Sequence, residues 1–161
     1  MNMCKSVTKQ GFCHYKSRID FFRHKMYNNR KEVIKMTKKE IAVEYKHNAC
    51  NCAQAVIAAY CEECGITLEQ AKKLGAGFGL GMGTTYGTCG ALCGAQTVLG
   101  IKMYNGASLN PISKILFNQF EMKCGSTVCR ELKGIDTGRM LCSCDDCVAN
   151  AVEALEQVLN F

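Results

Sequence analysis

GAGFGLGMGTTYGTCGALCGAQTVLG, residues 75–100, is the stretch from which the rest of the chain is read. Eight of the fifteen glycines of the chain fall in it before Gly100 is reached. Gly75, Gly77, Gly79, Gly81 and Gly83 alternate with Ala76, Phe78, Leu80 and Met82, so the backbone is free to take φ > 0 or to come very close to another surface. Glycine-rich turns ahead of helices often cradle phosphate, but neither standard template fits. No Gly-x-Gly-x-x-Gly can be laid on residues 75–94, no Gly-Lys-Ser/Thr closes a P-loop, and residues 68–74 read as a helix rather than a β-branched strand. The glycines lead instead into a pair of cysteines. Cys89, Leu92, Cys93, Gln96, Leu99, Gly100 and Met103 recur at helical spacing, which puts Cys89 and Cys93 one turn apart on one face. Cys89 falls in the first turn, where free N–H groups and the helix dipole stabilise an anion and favour a thiolate.

Helix signals surround this stretch on both sides. Thr37-Lys-Lys-Glu40 is a capping box, and the helix it opens is expected to run to about residue 64 with Ile41, Tyr45, Ala49, Cys52, Val56 and Tyr60 as one stripe. Cys52 then faces inward, Cys50, Cys61 and Cys64 lie on a flank rotated away, and His47 lies on the wet side. Thr67-Leu-Glu-Gln70 caps a second, short helix ending near Gly75. Asn110-Pro111 reads as an N-cap and first helical residue, followed by the apolar face Ile112, Ile115, Leu116 and Phe120 and a stop at Gly125. A short helix is expected over residues 126–133 and a loop over 134–140. Ser143 then caps a last helix whose stripe is Cys144, Cys147, Val148, Ala151, Val152, Leu155 and Val158. The expected architecture is all-α: a single compact bundle of about five or six helices with the glycine-rich loop before the central one.

At 161 residues the chain is one domain's worth. Its thirteen cysteines signal disulfides or else metal and redox chemistry. An odd count, a chain long enough not to need staples and no apolar signal segment all argue against a secreted disulfide scaffold, and a cytoplasmic location is expected. No run of about 18 apolar residues is present to span a membrane. The net charge of +6 is uneven. Residues 1–36 hold nine Lys/Arg against two acids, +7, and residues 37–161 hold eleven against twelve, −1. A nucleic-acid footprint would rest on the first segment alone, and none is expected of the body. The division read from this is a basic, poorly ordered N-terminal extension over 1–36, whose place in the native protein a start at Met36 would remove, and a cysteine-rich helical domain over 37–161.

Two further thiol groupings stand out. Cys61-Glu-Glu-Cys64 closes a helix instead of opening one after a strand, as the redox form of that motif does, so these two read as a local pair, as small apolar fillers ahead of ligands. Cys142-Ser-Cys144-Asp-Asp-Cys147 is the densest cluster and reads as a ligand or redox corner, although zinc-ribbon and ferredoxin spacings are absent. Arg130, next to Cys129, can favour a thiolate or simply be solvated.

Taken in order, Cys52-Ala-Gln-Ala-Val, the loop Gly77-Phe-Gly-Leu-Gly-Met-Gly83, Thr88-Cys-Gly-Ala-Leu-Cys-Gly94, Cys129-Arg-Glu-Leu and Cys147-Val resemble the C-GCAxxG-C-C family of redox-active proteins over about residues 37–160. The resemblance implies an all-helical domain with a thiol-based or metal-based redox role, and the same domain occurs beside haem in split-Soret cytochromes c. No haem attachment motif is present, so covalent haem is not expected. The family's cysteines fall on Cys52, Cys89, Cys129 and Cys147, and four inward cysteines from four helices suggest one shared site. Additional cysteines at 50, 61, 64, 93, 124, 142 and 144 leave the pairing open.

Two functions are compatible with these residues. In one, Cys89 is a reactive thiolate resolved by Cys52, Cys129 or Cys147, with Gly77, Gly79, Gly81 and Gly83 adjacent to the site. In the other, Cys52, Cys89, Cys129 and Cys147 hold a metal suited to thiolates, zinc, copper(I) or an iron–sulfur cluster, with Cys142, Cys144 and Cys93 as alternates. The partner would be a redox protein or a small thiol or disulfide, with homodimerisation left open. No acid–base carboxylate pair or Ser-His-Asp arrangement is legible.

Overall fold

The computed structural model of the chain describes residues 36–160, and the expectations for the basic segment lie outside them. Among the described residues there are six helices of eight residues or more, three four-residue segments at Cys61–Cys64, Gly79–Met82 and Cys129–Leu132, and a 3-10 turn at Ala76–Phe78, with no strand beyond an isolated bridge between Thr88 and Val128. The helices are α1 (Lys38–His47), α2 (Cys52–Ala59), α3 (Cys61–Cys64), α4 (Leu68–Gly75), α5 (Gly90–Met103), α6 (Asn110–Cys124), α7 (Cys129–Leu132) and α8 (Cys144–Leu159). The all-α bundle expected from the sequence is what folds. Among the described residues no helix is long and apolar enough to cross a membrane.

The capping residues read from the sequence are in place. Thr37 and Thr67 make reciprocal boxes with Glu40 and Gln70, and Ser143 Oγ accepts from the Asp146 amide. Gly125 ends α6 in the left-handed conformation at φ 86. The N-cap of α6 is Leu109, one residue before the expected Asn110.

One correction concerns the first helix. It does not run to Cys64: α1 stops at His47, Ala49 takes φ 68, and α2 starts afresh at Cys52. The cause is Asn51, whose side chain accepts from the Gln54 amide while Gln54 Oε1 accepts from the Asn51 amide, a second capping box inside the stripe. The break re-aims Cys50, which is buried and not on an outer flank. A second correction is at residues 126–128, which are not helical. The Cys89 amide donates to Thr127 O and the Cys129 amide to Gly87 O, so α7 is only Cys129–Leu132.

α2 is the centre of the molecule. Ala53, Ala55, Val56, Ile57, Ala58 and Ala59 are all buried, as expected of a helix that is apolar all round. It packs against α1, α4 and α5, while α8 closes the bundle over α1, α5 and α6. Val98, Leu99, Leu116, Phe120, Val152 and Leu155 fill the space between.

Candidate thiol site

The glycine loop brings α2 and α5 together closely. A Cβ on Gly94 would stand 2.7 Å from Ala53 O, and one on Gly90 would stand 2.6 Å from Phe78 O. Before α5 the chain makes a left-handed turn, with φ of 53 at Leu80, 59 at Gly81, 58 at Met82 and 77 at Gly83. Of the alternating glycines, only Gly81 and Gly83 take φ > 0. The turn lays Leu80 against a cavity of about 210 Å³.

Seven thiols line that cavity. Cys50 and Cys52 come from the break before α2 and from its first residue, Cys89 is the N-cap of α5, and Cys129 is the first residue of α7. Cys142 precedes α8, Cys144 opens it and Cys147 lies one turn on. The positive ends of α2, α5 and α8 therefore point at one space. Lys46 and Lys133 are the charged residues on the wall, and it has neither carboxylate nor imidazole among the described residues. Of the seven wall thiols, only Cys89 and Cys144 are shifted toward the thiolate, and the other five are held in the protonated form, Cys52 and Cys147 by donating to neighbouring thiols and the rest by burial.

The four cysteines carried by the family resemblance, Cys52, Cys89, Cys129 and Cys147, are thus brought to one cavity, together with Cys142 and Cys144. Cys93 is not on the wall, and its thiol lies 3.9 Å from Thr88 O. Cys61 and Cys64 pack against the core as fillers. His47 is exposed and sits 2.8 Å from Asp145. Arg130 pairs with Asp136 and lies over the Tyr86 ring at 4.6 Å, so its charge is spent away from Cys129, whose thiol is pushed up by burial.

Within the cavity the thiols differ. Cys144 is driven down to about 5 because the Cys52 thiol donates to it and Lys133 and Lys46 stand near. Cys52, the donor, is pushed well up by that bond and by burial. Cys147 is likewise a donor, to Cys124 and Cys89, and is held protonated. Cys89 is lowered by the Cys147 thiol, against burial, with help from the first-turn amides of Ala91 and Leu92. Cys124 falls to about 7 by the same donation, aided by Asn150 and Cys142. Access separates them further, since Cys89, Cys129 and Cys147 are only 4%, 6% and 3% exposed, whereas Cys52, Cys142 and Cys144 are half-buried.

Sequence reasoning missed Cys50 and Cys124. Cys50 precedes a capping box, and Cys124 continues the stripe of Leu116 and Phe120 at the same four-residue step. The Sγ atoms of Cys124, Cys142 and Cys147 lie within 4.8 Å of one another.

Fold and site together define a cysteine-rich helical domain whose helix starts deliver thiols to one cavity. The chain belongs to the family described as "Putative redox-active protein (C_GCAxxG_C_C)", whose model matches residues 50–158. No curated protein and no solved structure matches it.

Proposed function

We propose that this chain works by thiol–disulfide exchange, with Cys144 as the attacking thiolate and Cys52 as the resolving thiol. What supports it is the placing of half-buried Cys52 and Cys144 on one cavity wall, with Cys144 opening a 16-residue helix and Lys46 and Lys133 on the same wall, where its thiol is held well below the ordinary range. Reactive cysteines occupy electropositive, partly open surroundings of this kind, and the more buried Cys89 does not meet the access requirement. Cys144 sulfur bonds to one sulfur of a partner disulfide, whose other sulfur leaves and takes a proton. Cys52, losing its own proton, then attacks Cys144 and releases the partner as a dithiol. Two electrons pass to the partner, and a Cys52–Cys144 disulfide remains.

The test is a disulfide map by mass spectrometry of full-length protein poised in glutathione buffers. A Cys52–Cys144 bond should form first, and Cys144→Ser should reduce exchange with a small disulfide to background. Oxidation that begins elsewhere would remove the reading.

The convergence of the four motif cysteines from four elements favours a second reading, in which Cys52, Cys89, Cys129 and Cys147 hold an iron–sulfur cluster or zinc and the chain carries electrons or binds metal. Absorption spectra with iron, sulfide and zinc content of protein purified without oxygen separate the two. A colourless, metal-free protein leaves the dithiol reading, and stoichiometric iron and sulfide would replace it.

A further inference from the structure

At the edge of the cavity, where α6 ends and α8 begins, Cys142 and Cys147 of its wall meet Cys124, which is not on the wall. Their three Sγ atoms lie within 4.8 Å of one another. Cys124 and Cys147 are buried and Cys142 is half-buried, which leaves a way in from solvent on one side. Asn150, on α8, spans two of them, its Nδ2 donating to Cys124 Sγ at 3.4 Å and to Cys142 Sγ at 3.8 Å. Such an amide fixes the direction of a sulfur ligand and offsets its charge. The N-terminal end of α8 adds positive potential beside Cys142 and Cys147.

From this we infer that Cys124, Cys142 and Cys147 are a three-sulfur site for monovalent copper, with Asn150 as its positioning residue. The ligand set is all thiol, which selects soft ions. The number of ligands narrows the choice, because three sulfurs within 4.8 Å of one another suit the low coordination number of monovalent copper, whereas structural zinc takes four and would have to recruit Cys89, the other partner of the Cys147 thiol. Binding one Cu(I) displaces the thiol protons and forms three copper–sulfur bonds with no change of oxidation state. The site does not depend on the Cys52–Cys144 exchange chemistry.

The test is an anaerobic titration of the reduced full-length protein with Cu(I) against a competing Cu(I) chelator, followed by X-ray absorption at the copper edge. One equivalent should be retained in three-sulfur coordination. Cys142→Ser, a change at a half-buried position, should weaken retention by about a hundredfold or more, and Asn150→Ala by roughly tenfold, at the lower end of the loss seen when an outer-shell partner is removed. Cys52→Ser should leave it unchanged while abolishing exchange, so the two proposals fail separately. Retention undiminished in Cys142→Ser, coordination by other than three sulfurs, or isolation of the protein with iron and sulfide on Cys147 would overturn it.

Discussion

Cys144 owes its acidity first to the thiol of Cys52, then to Lys133 and Lys46, all working against burial. A thiol near 8.5 is still gaining thiolate through neutral pH, whereas one near 5 is already ionised there. Iodoacetamide labelling of Cys144, read by peptide mass, should therefore rise through pH 5 and be flat at neutral pH. Lys133→Ala withdraws a positive charge, so the rise should move to higher pH; an unmoved inflection would mean that the lysine is not what holds the thiolate. Asn51 is the other residue on which much rests, since its side chain caps α2 and its Nδ2 also donates to Gly75 O at 3.0 Å. Asn51→Ala should cost about 1–2 kcal/mol in urea unfolding, the upper range for a lost cap.

Between elements, α2 is closely approached from two sides, by α5 at Gly94 and by α4 at Gly75, where an added Cβ would stand 2.7 Å from the α2 backbone. Gly94→Ala must push against the Ala53 carbonyl and Cα, which are backbone and cannot rotate away. It should cost about 1–3 kcal/mol by overpacking, measured as a lower urea midpoint at unchanged slope. Gly81→Ala is strained twice, by φ 59 and by Cys129 Cβ only 2.7 Å from the new atom, and should change Cys129 labelling as well as stability. The sequence carried much of this. Threonine and serine caps, the Gly125 stop and the inward cysteines come from local chemistry that the residues state by themselves. The break at residues 48–51 was hidden because an apolar stripe continues across it, so periodicity and the Asn51 cap gave opposite answers and the cap won. Left-handed Leu80 and Met82 were hidden too, because a residue with a side chain accepts φ > 0 only where the surrounding structure holds it there.

Across the whole molecule, thiols sort by depth. Cys50, Cys89, Cys124, Cys129 and Cys147 are buried, and the other described cysteines are half-buried. Under reducing, anaerobic conditions a slow reagent should modify the half-buried group in the folded state. The five buried thiols should react only through opening, at rates that climb with urea in parallel with unfolding. Fast modification of all five in the absence of urea would contradict the packing. The cavity wall takes its sulfur from the break before α2, the start of α2, the cap of α5, α7 and both sides of the α8 cap. No single stretch of chain owns the site. It cannot be grafted onto another scaffold as a peptide, as an EF-hand or a zinc ribbon can. Residues 142–147 cut free would keep three cysteines and lose every neighbour that makes them differ from one another.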